Sequence, residues 1–242
     1  MIRLAALLVP LLVAAPAWAQ SVNIDLGAGA AGATSRLIQL TALVAVLSLA
    51  PSLLVMVTAF TRIVIVLSLL RSALATQGTP PNSVLIGLAL FLTFFVMQPV
   101  LDQAWAAGLG PLAEGKLTDL EGLRLAAELF RKFMAANLRG ADLQLFLDLA
   151  DLPAPAAPDQ SPWRVLIPAF MVGELRRAFE IGFLLFMPFL VIDMVVASVL
   201  MSLGMMMLPP SVVALPFKLI FFVLVDGWRL IAGSLVQGFA MP

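Results

Sequence analysis

Apolar residues run almost unbroken through four parts of the chain, and most of the charge gathers between the second part and the third. The first run, 37–75, is broken at Pro51 and carries Arg62 and Arg71. It leads into "ATQGTPPNS", where Gly78, Pro80 and Pro81 cannot continue a helix and Asn82 or Ser83 can cap the next one. The second run, 84–101, is long enough to cross a bilayer, and Pro99 is placed to bend its end. Between 102 and 180 the charges recur at helical spacing. In "LEGLRLAAELFRKFMAANL" the residues Leu123, Ala127, Phe130 and Met134 share one predicted face, and "LPAPAAPDQSPW" reads as a proline-rich linker. The last two runs, 181–203 and 212–238, are apolar all round, so each is buried in lipid or in protein. Neither alternates with period two as an outer-membrane barrel strand would, and no repeat of 20–50 residues is visible. The pattern predicts an all-α membrane protein. It has about four long apolar helices, some broken, with the last two paired as a hairpin, and a polar helical insert.

The beginning of the chain reads differently. "MIRLAALLVPLLVAAPAWAQ" carries one early positive charge at Arg3 and an apolar core too short to span, interrupted by Pro10 and Pro16. Ala17-Trp18-Ala19 is an A-x-A-like cleavage site, so residues 1–19 are expected to be a signal peptide cut between Ala19 and Gln20. Residues 20–36 are then a flexible Gly/Ala-rich lead, followed by apolar helices over 37–101, a polar segment over 102–180 and an apolar hairpin over 181–242. Cleavage places Gln20 outside the inner membrane, and four crossings leave 102–180 on that same side. Arg71 beside the first inner loop obeys the positive-inside rule, but the 204–211 loop has no Lys or Arg. Charge therefore contributes little to the topology.

Composition narrows the chemistry. Of 242 residues 62% are hydrophobic and 12% charged, against about 45–50% and 25% in soluble domains. Fourteen basic residues balance fourteen acidic ones, so there is no basic field for nucleic acid. Without Cys or His the chain has no disulfide, no thiolate metal site and no His-based triad, and no cofactor is expected.

Asp193, Lys218 and Asp226 stand inside the last two apolar runs. Each costs about 2.5–3.5 kcal/mol at a bilayer centre on insertion scales. If the last two runs fold back at "LGMMMLPP", Asp193 comes level with residue 222, about one helical turn from both Lys218 and Asp226. Arg229 follows Asp226 by three positions and can pair with it on one helix. Two readings stay open: a buried network of Asp193, Lys218, Asp226 and Arg229 that sets helix register, or a proton or ion site. An aspartyl protease dyad is disfavoured. Such enzymes resemble Tyr-Asp and Gly-x-Gly-Asp patterns, and this chain has neither.

Three blocks, taken in order, resemble one family. They are "TRIVIVLSLLRSALATQGTPPNSVLIGLALFLTFFVMQP", "PAFMVGELRRAFEIGFLLFMPFLVIDMVVASVLMSLGMMMLPP" and "LPFKLIFFVLVDGWRLIAGSLVQGF". They are similar to the FliP family of type III export-gate proteins of the flagellum. In one departure, Gly173 precedes Glu174 where relatives usually carry Ser or Thr. The resemblance implies a non-enzymatic subunit of the flagellar basal body in the inner membrane. It implies a homo-oligomer, pentameric in that family, that joins two smaller membrane subunits and passes unfolded rod, hook and filament proteins. It also implies that Met205, Met206 and Met207 form a flexible gasket around the pore. Methionine suits that task because its unbranched thioether refits to changing shapes, although it also serves as ordinary core filler. Alternatives are the injectisome form, which exports virulence effectors, and a small-solute transporter. The signal peptide favours the flagellum, and no internal repeat supports a transporter.

Overall fold

The computed structural model describes residues 51–53, 55–76, 78–205 and 207–240, with Ile38, Leu40, Thr41, Val44, Ala45 and Ser48 helical before them. The chain divides into Met1–Leu49 and Ala50–Pro242, and the second unit is the one described below. The expected signal peptide, its cleavage point at Ala19 and Gln20, and the 20–36 lead lie outside the described residues. Every regular element among the described residues is helical, so the protein is all-α.

Two short helices open the unit, α1 (Pro51–Val57) and α2 (Phe60–Leu74), bent by 85°. The break falls at Thr58 and Ala59 rather than at Pro51. Threonines serve the backbone there: Thr61 Oγ1 donates to Val55 O at 2.6 Å, and Phe60 N donates to Thr58 Oγ1 at 3.3 Å. After α2 the backbone turns left-handed at Ala75, passes Gly78 (φ 93°), and enters α3 (Asn82–Ala104). Pro81, not Asn82, holds the cap position of α3, because the Asn82 side chain accepts a hydrogen bond from Arg71 instead.

Pro99 lies inside α3, which continues into a π-helix at Trp105–Leu109 and a last turn, α4 (Gly110–Ala113). Helix α5 (Asp119–Asn137) starts with a reciprocal cap: Thr118 N donates to the Glu121 carboxylate at 3.1 Å, and Glu121 N donates to Thr118 Oγ1 at 3.4 Å. Its buried face is Gly122, Ala126, Phe133, Met134 and Asn137. Of the four positions on the predicted shared face, Met134 is buried, Ala127 and Phe130 are half-buried, and Leu123 is exposed. The face is rotated because α5 meets the π-turn at Gly108, whose Cβ would lie 2.4 Å from Gly122 O. Only small residues fit such an approach, so the leucines turn outward.

Helix α6 (Gly140–Leu149) packs Leu143 and Leu147 on Val165 and Ala169 of α7 (Trp163–Ser202). The expected boundary near 180 is a correction: α7 is one forty-residue helix that starts at Trp163. Its first half buries Val165, Leu166, Ala169, Phe170, Gly173 and Glu174, a three-and-four spacing, while Arg164, Arg176 and Glu180 face outward. The run 212–238 is likewise divided into α8 (Pro210–Leu224) and α9 (Gly227–Gln237), bent by 62°. Asp226 takes φ 51° at the break, a conformation Asp tolerates better than most residues. Gly227 then admits the Phe222 ring, which would stand 2.2 Å from a Cβ at that position.

The core centres on α2, whose Ile63, Val66, Leu67 and Leu70 are buried against α3 and α7. Among the described residues two helical stretches are long and apolar enough to cross a membrane, Asn82–Ala113 and Trp163–Ser202, and up to four if each bent pair is one span. The most apolar stretch of α7 is only 11% buried within the chain, and Phe91, Phe94 and Phe95 of α3 also face outward. That surface needs lipid or another protein chain.

Candidate functional site

Two ion pairs and one turn hold the unusual chemistry. Arg62 on α2 and Glu174 on α7, separated by 112 positions, meet in the core with 1% and 0% of their surface exposed. Arg62 Nε donates to Glu174 Oε2 at 2.8 Å and Nη2 donates to Oε1, a two-point contact only a guanidinium can make. Its Nη1 donates to Gly238 O at 2.8 Å, and its Cζ stands 3.7 Å from the centre of the Phe239 ring. Phe239 stacks on Phe133 at 6.1 Å, and Asn137 exchanges two hydrogen bonds with the Ala240 backbone, at 2.8 and 2.9 Å. The segment after α9 is thus tied into the same charged core.

The second pair joins three helices. Lys218 on α8 is 3% exposed, and its Nζ donates to Asp193 Oδ2 on α7 at 2.7 Å and to Ala73 O on α2 at 3.1 Å. Ala73 lies in the last turn of α2, where carbonyls lack helical partners and a cation is favourable. Asp193 Oδ1 is buried without a hydrogen-bond partner among the described residues, and its side chain as a whole is 40% exposed. Asp226 and Arg229 do not join this pair. They stand 3.9 Å apart with side chains 65% and 87% exposed. The kink at Asp226 turns α9 away from the line of α8, so a straight-helix count from the turn no longer places them. Asp193 and Asp226 therefore face different cations, which is not the arrangement of a shared-proton dyad. No group of three or more metal-ligating side chains occurs among the described residues.

The turn between α7 and α8 begins at Gly204 (φ 72°), and Met205 N donates to Leu200 O at 3.0 Å. Met205 is partly exposed, and Met207 is 98% exposed, without contact that would make it core. Met206 lies outside the described residues. Beside the turn, Val191, Val195, Val199, Val213 and Phe217 line an apolar groove of about 440 Å³ between α7 and α8.

Arg62, Glu174, Phe239 and Asn137 were not singled out as a site by pattern alone. An Arg inside an apolar run is a signal, but nothing in the sequence points from Arg62 to a partner so far along the chain.

Residues 43–235 match the model of the FliP family. The flagellar biosynthetic protein FliP of Caulobacter vibrioides is 58% identical over 226 residues, covering 93% of this chain and 85% of the relative. The protein of that name from Bacillus subtilis is 52% identical, covering 85% and 93%, and that from Cereibacter sphaeroides is 54% identical, covering 86% and 70%. Both ion pairs and the methionine-rich turn fall within the matched residues, and the chain belongs to the FliP family.

Proposed function

We propose that the protein is a core channel subunit of the flagellar protein export gate, a multi-pass component of the bacterial inner membrane at the basal body. The observation that carries this reading is the uncovered apolar surface of α7, only 11% buried over its most apolar stretch, on a chain whose relatives are named flagellar biosynthetic proteins. An apolar face that long is stable against lipid, against copies of itself, or both. Several copies, five by the family resemblance, would assemble with two smaller membrane subunits and pass unfolded rod, hook and filament proteins. The relatives' flagellar names favour that apparatus over the injectisome. FliP is not an enzyme family, and no catalytic step is assigned.

Within that assembly Met205, Met206 and Met207 would line the narrowest part of the path. Exposed Met207 has no packing role in the isolated chain. A seal must close around nothing at rest and around many side chains in use, which favours the most adaptable apolar residue. Replacing all three by Ala should leave an assembled complex that leaks ions while export continues at least in part. Replacing them by Leu should preserve the seal and slow export. Ion flux in cells making each variant, measured beside exported flagellin, tests this. Loss of assembly in the Ala variant, with no leak in complexes that do form, would show that the methionines are packing residues.

A further inference from the structure

Four basic residues stand inside the apolar runs, and three of them meet a carboxylate: Arg62 pairs with Glu174, Lys218 with Asp193 and Arg229 with Asp226. Arg71, half-buried in the last turn of α2, has no carboxylate among the described residues. Its Nη1 alone makes both of its hydrogen bonds, to Asn82 Oδ1 and to Pro80 O at 3.4 Å. Nε and Nη2 are left without a partner among the described residues. Arg71 lines a pocket of about 650 Å³ with Ser72, Ala75, Thr76, Gly78 and Asn82, none of them acidic. The acceptors of this turn are already used: Asn82 Oδ1 and Pro80 O by Arg71, and Thr79 O by the Thr76 hydroxyl. A roomy pocket with spare donors, occupied acceptors and an uncompensated cation selects an anion. A Cβ on Gly78 would meet nothing within 4 Å, so a ligand can approach the backbone there. The pocket also lies at the start of Asn82–Ala113, a stretch long and apolar enough to cross a membrane, and Val84 and Ile86 just beyond it face outward. In a bilayer that is the level of the headgroup phosphates, with the outward apolar residues against the acyl tails.

We propose that Arg71 and Asn82 form a binding site for a phosphate group, supplied by an anionic phospholipid headgroup or by free phosphate. The guanidinium offers a two-point contact to phosphate oxygens, and the side-chain N–H of Asn82 serves another. Occupancy compensates the half-buried charge of Arg71 and fixes the turn between α2 and α3. The headgroup source rests on α3 crossing a membrane, and neither source rests on the export role.

The full chain in mild detergent is titrated with phosphatidylglycerol or with diacylglycerol, which has the tails without the phosphate, and the first bound lipid is read by native mass spectrometry. Phosphatidylglycerol should bind about tenfold more tightly, and the preference should fall toward one in Arg71→Gln and in Ser72→Glu. Ser72 is exposed, and its replacement keeps Arg71 while setting a carboxylate in the pocket, so this variant decides if Arg71→Gln fails to accumulate. Inorganic phosphate added alone tells the two sources apart. A rise in Tm that both variants abolish makes free phosphate a ligand, whereas a lipid preference without such a rise assigns the site to the headgroup. Neither response in the unaltered chain, or responses that survive both variants, overturns the proposal. A changed oligomer mass in the variants with lipid binding intact also overturns it, and gives Arg71 to an acidic residue of another chain.

Discussion

Arg62 is buried with its fork on Glu174, a third donor on Gly238 O and its face on Phe239. Removing one member of such a pair leaves the other charged and unserved, which costs about 3–5 kcal/mol. Arg62→Leu or Glu174→Leu alone should therefore abolish accumulation of folded protein. The double variant should recover part of it, read as protein extracted from membranes and its melting temperature. Purely additive losses would show the two are not coupled. Arg62→Lys should not rescue, since an ammonium cannot make the two-point contact. The Lys218 pair is asymmetric in a different way. Asp193→Ala leaves Lys218 its bond to Ala73 O, whereas Lys218→Ala strips both the partly exposed Asp193 and the end of α2. Lys218→Ala should be the more damaging of the two in assembly and motility assays, and the double variant should be milder than the sum.

Helix ends and crossings carry the next scale. In the α5 cap the Thr118 hydroxyl and backbone N–H donate to the Glu121 carboxylate and hold its pKa below the usual glutamate range. A depressed folded-state pKa contributes stability above the unfolded value, about 4.3, and loses it as pH falls through the folded value. The wild type should thus melt above Thr118→Ala at about pH 6, and the gap should close toward about pH 3. A gap independent of pH would assign the cap to the bond from Glu121 N–H to the Thr118 hydroxyl oxygen alone. At the π-turn, Gly108→Ala would drive a Cβ to 2.4 Å from Gly122 O and 2.9 Å from Ala126 N, both backbone atoms that cannot rotate away. Gly182→Ala meets chiefly the Leu69 Cδ1, the far end of a flexible side chain. Overpacking costs about 1–3 kcal/mol, so Gly108→Ala should fall at or above that range and Gly182→Ala below it, in matched thermal melts.

On the scale of the whole molecule, the described fold buries α2 and leaves the apolar sides of α3 and α7 outside. Outward aromatic residues such as Phe91, Phe179 and Phe183 are spaced along faces that the described fold of the second unit leaves exposed. If other copies cover them, the protein expressed alone should form a discrete oligomer in mild detergent, seen as one mass in native mass spectrometry. A stable monomer under those conditions would assign the surface to lipid.

Hydropathy alone determined that this is an all-helical chain with membrane-compatible segments, because an unbroken apolar run has few ways to satisfy its backbone outside a helix. The chain's own punctuation also located the 76–81 turn, through Gly78 and the paired prolines, which act on their own backbone, and the gap between the last two apolar runs located the fold-back at "LGMMMLPP". Tertiary structure decided the rest. Which face of α5 turns inward depends on Gly108, a residue on another helix, and the division of 212–238 depends on Phe222 filling the space at Gly227. The partner of Arg62 lies 112 positions away, and the fold alone separates Asp226 and Arg229 from Lys218. Periodicity reports how a residue relates to its own helix. It carries no information on which distant side chain will stand opposite, because that is set by the packing of several helices at once.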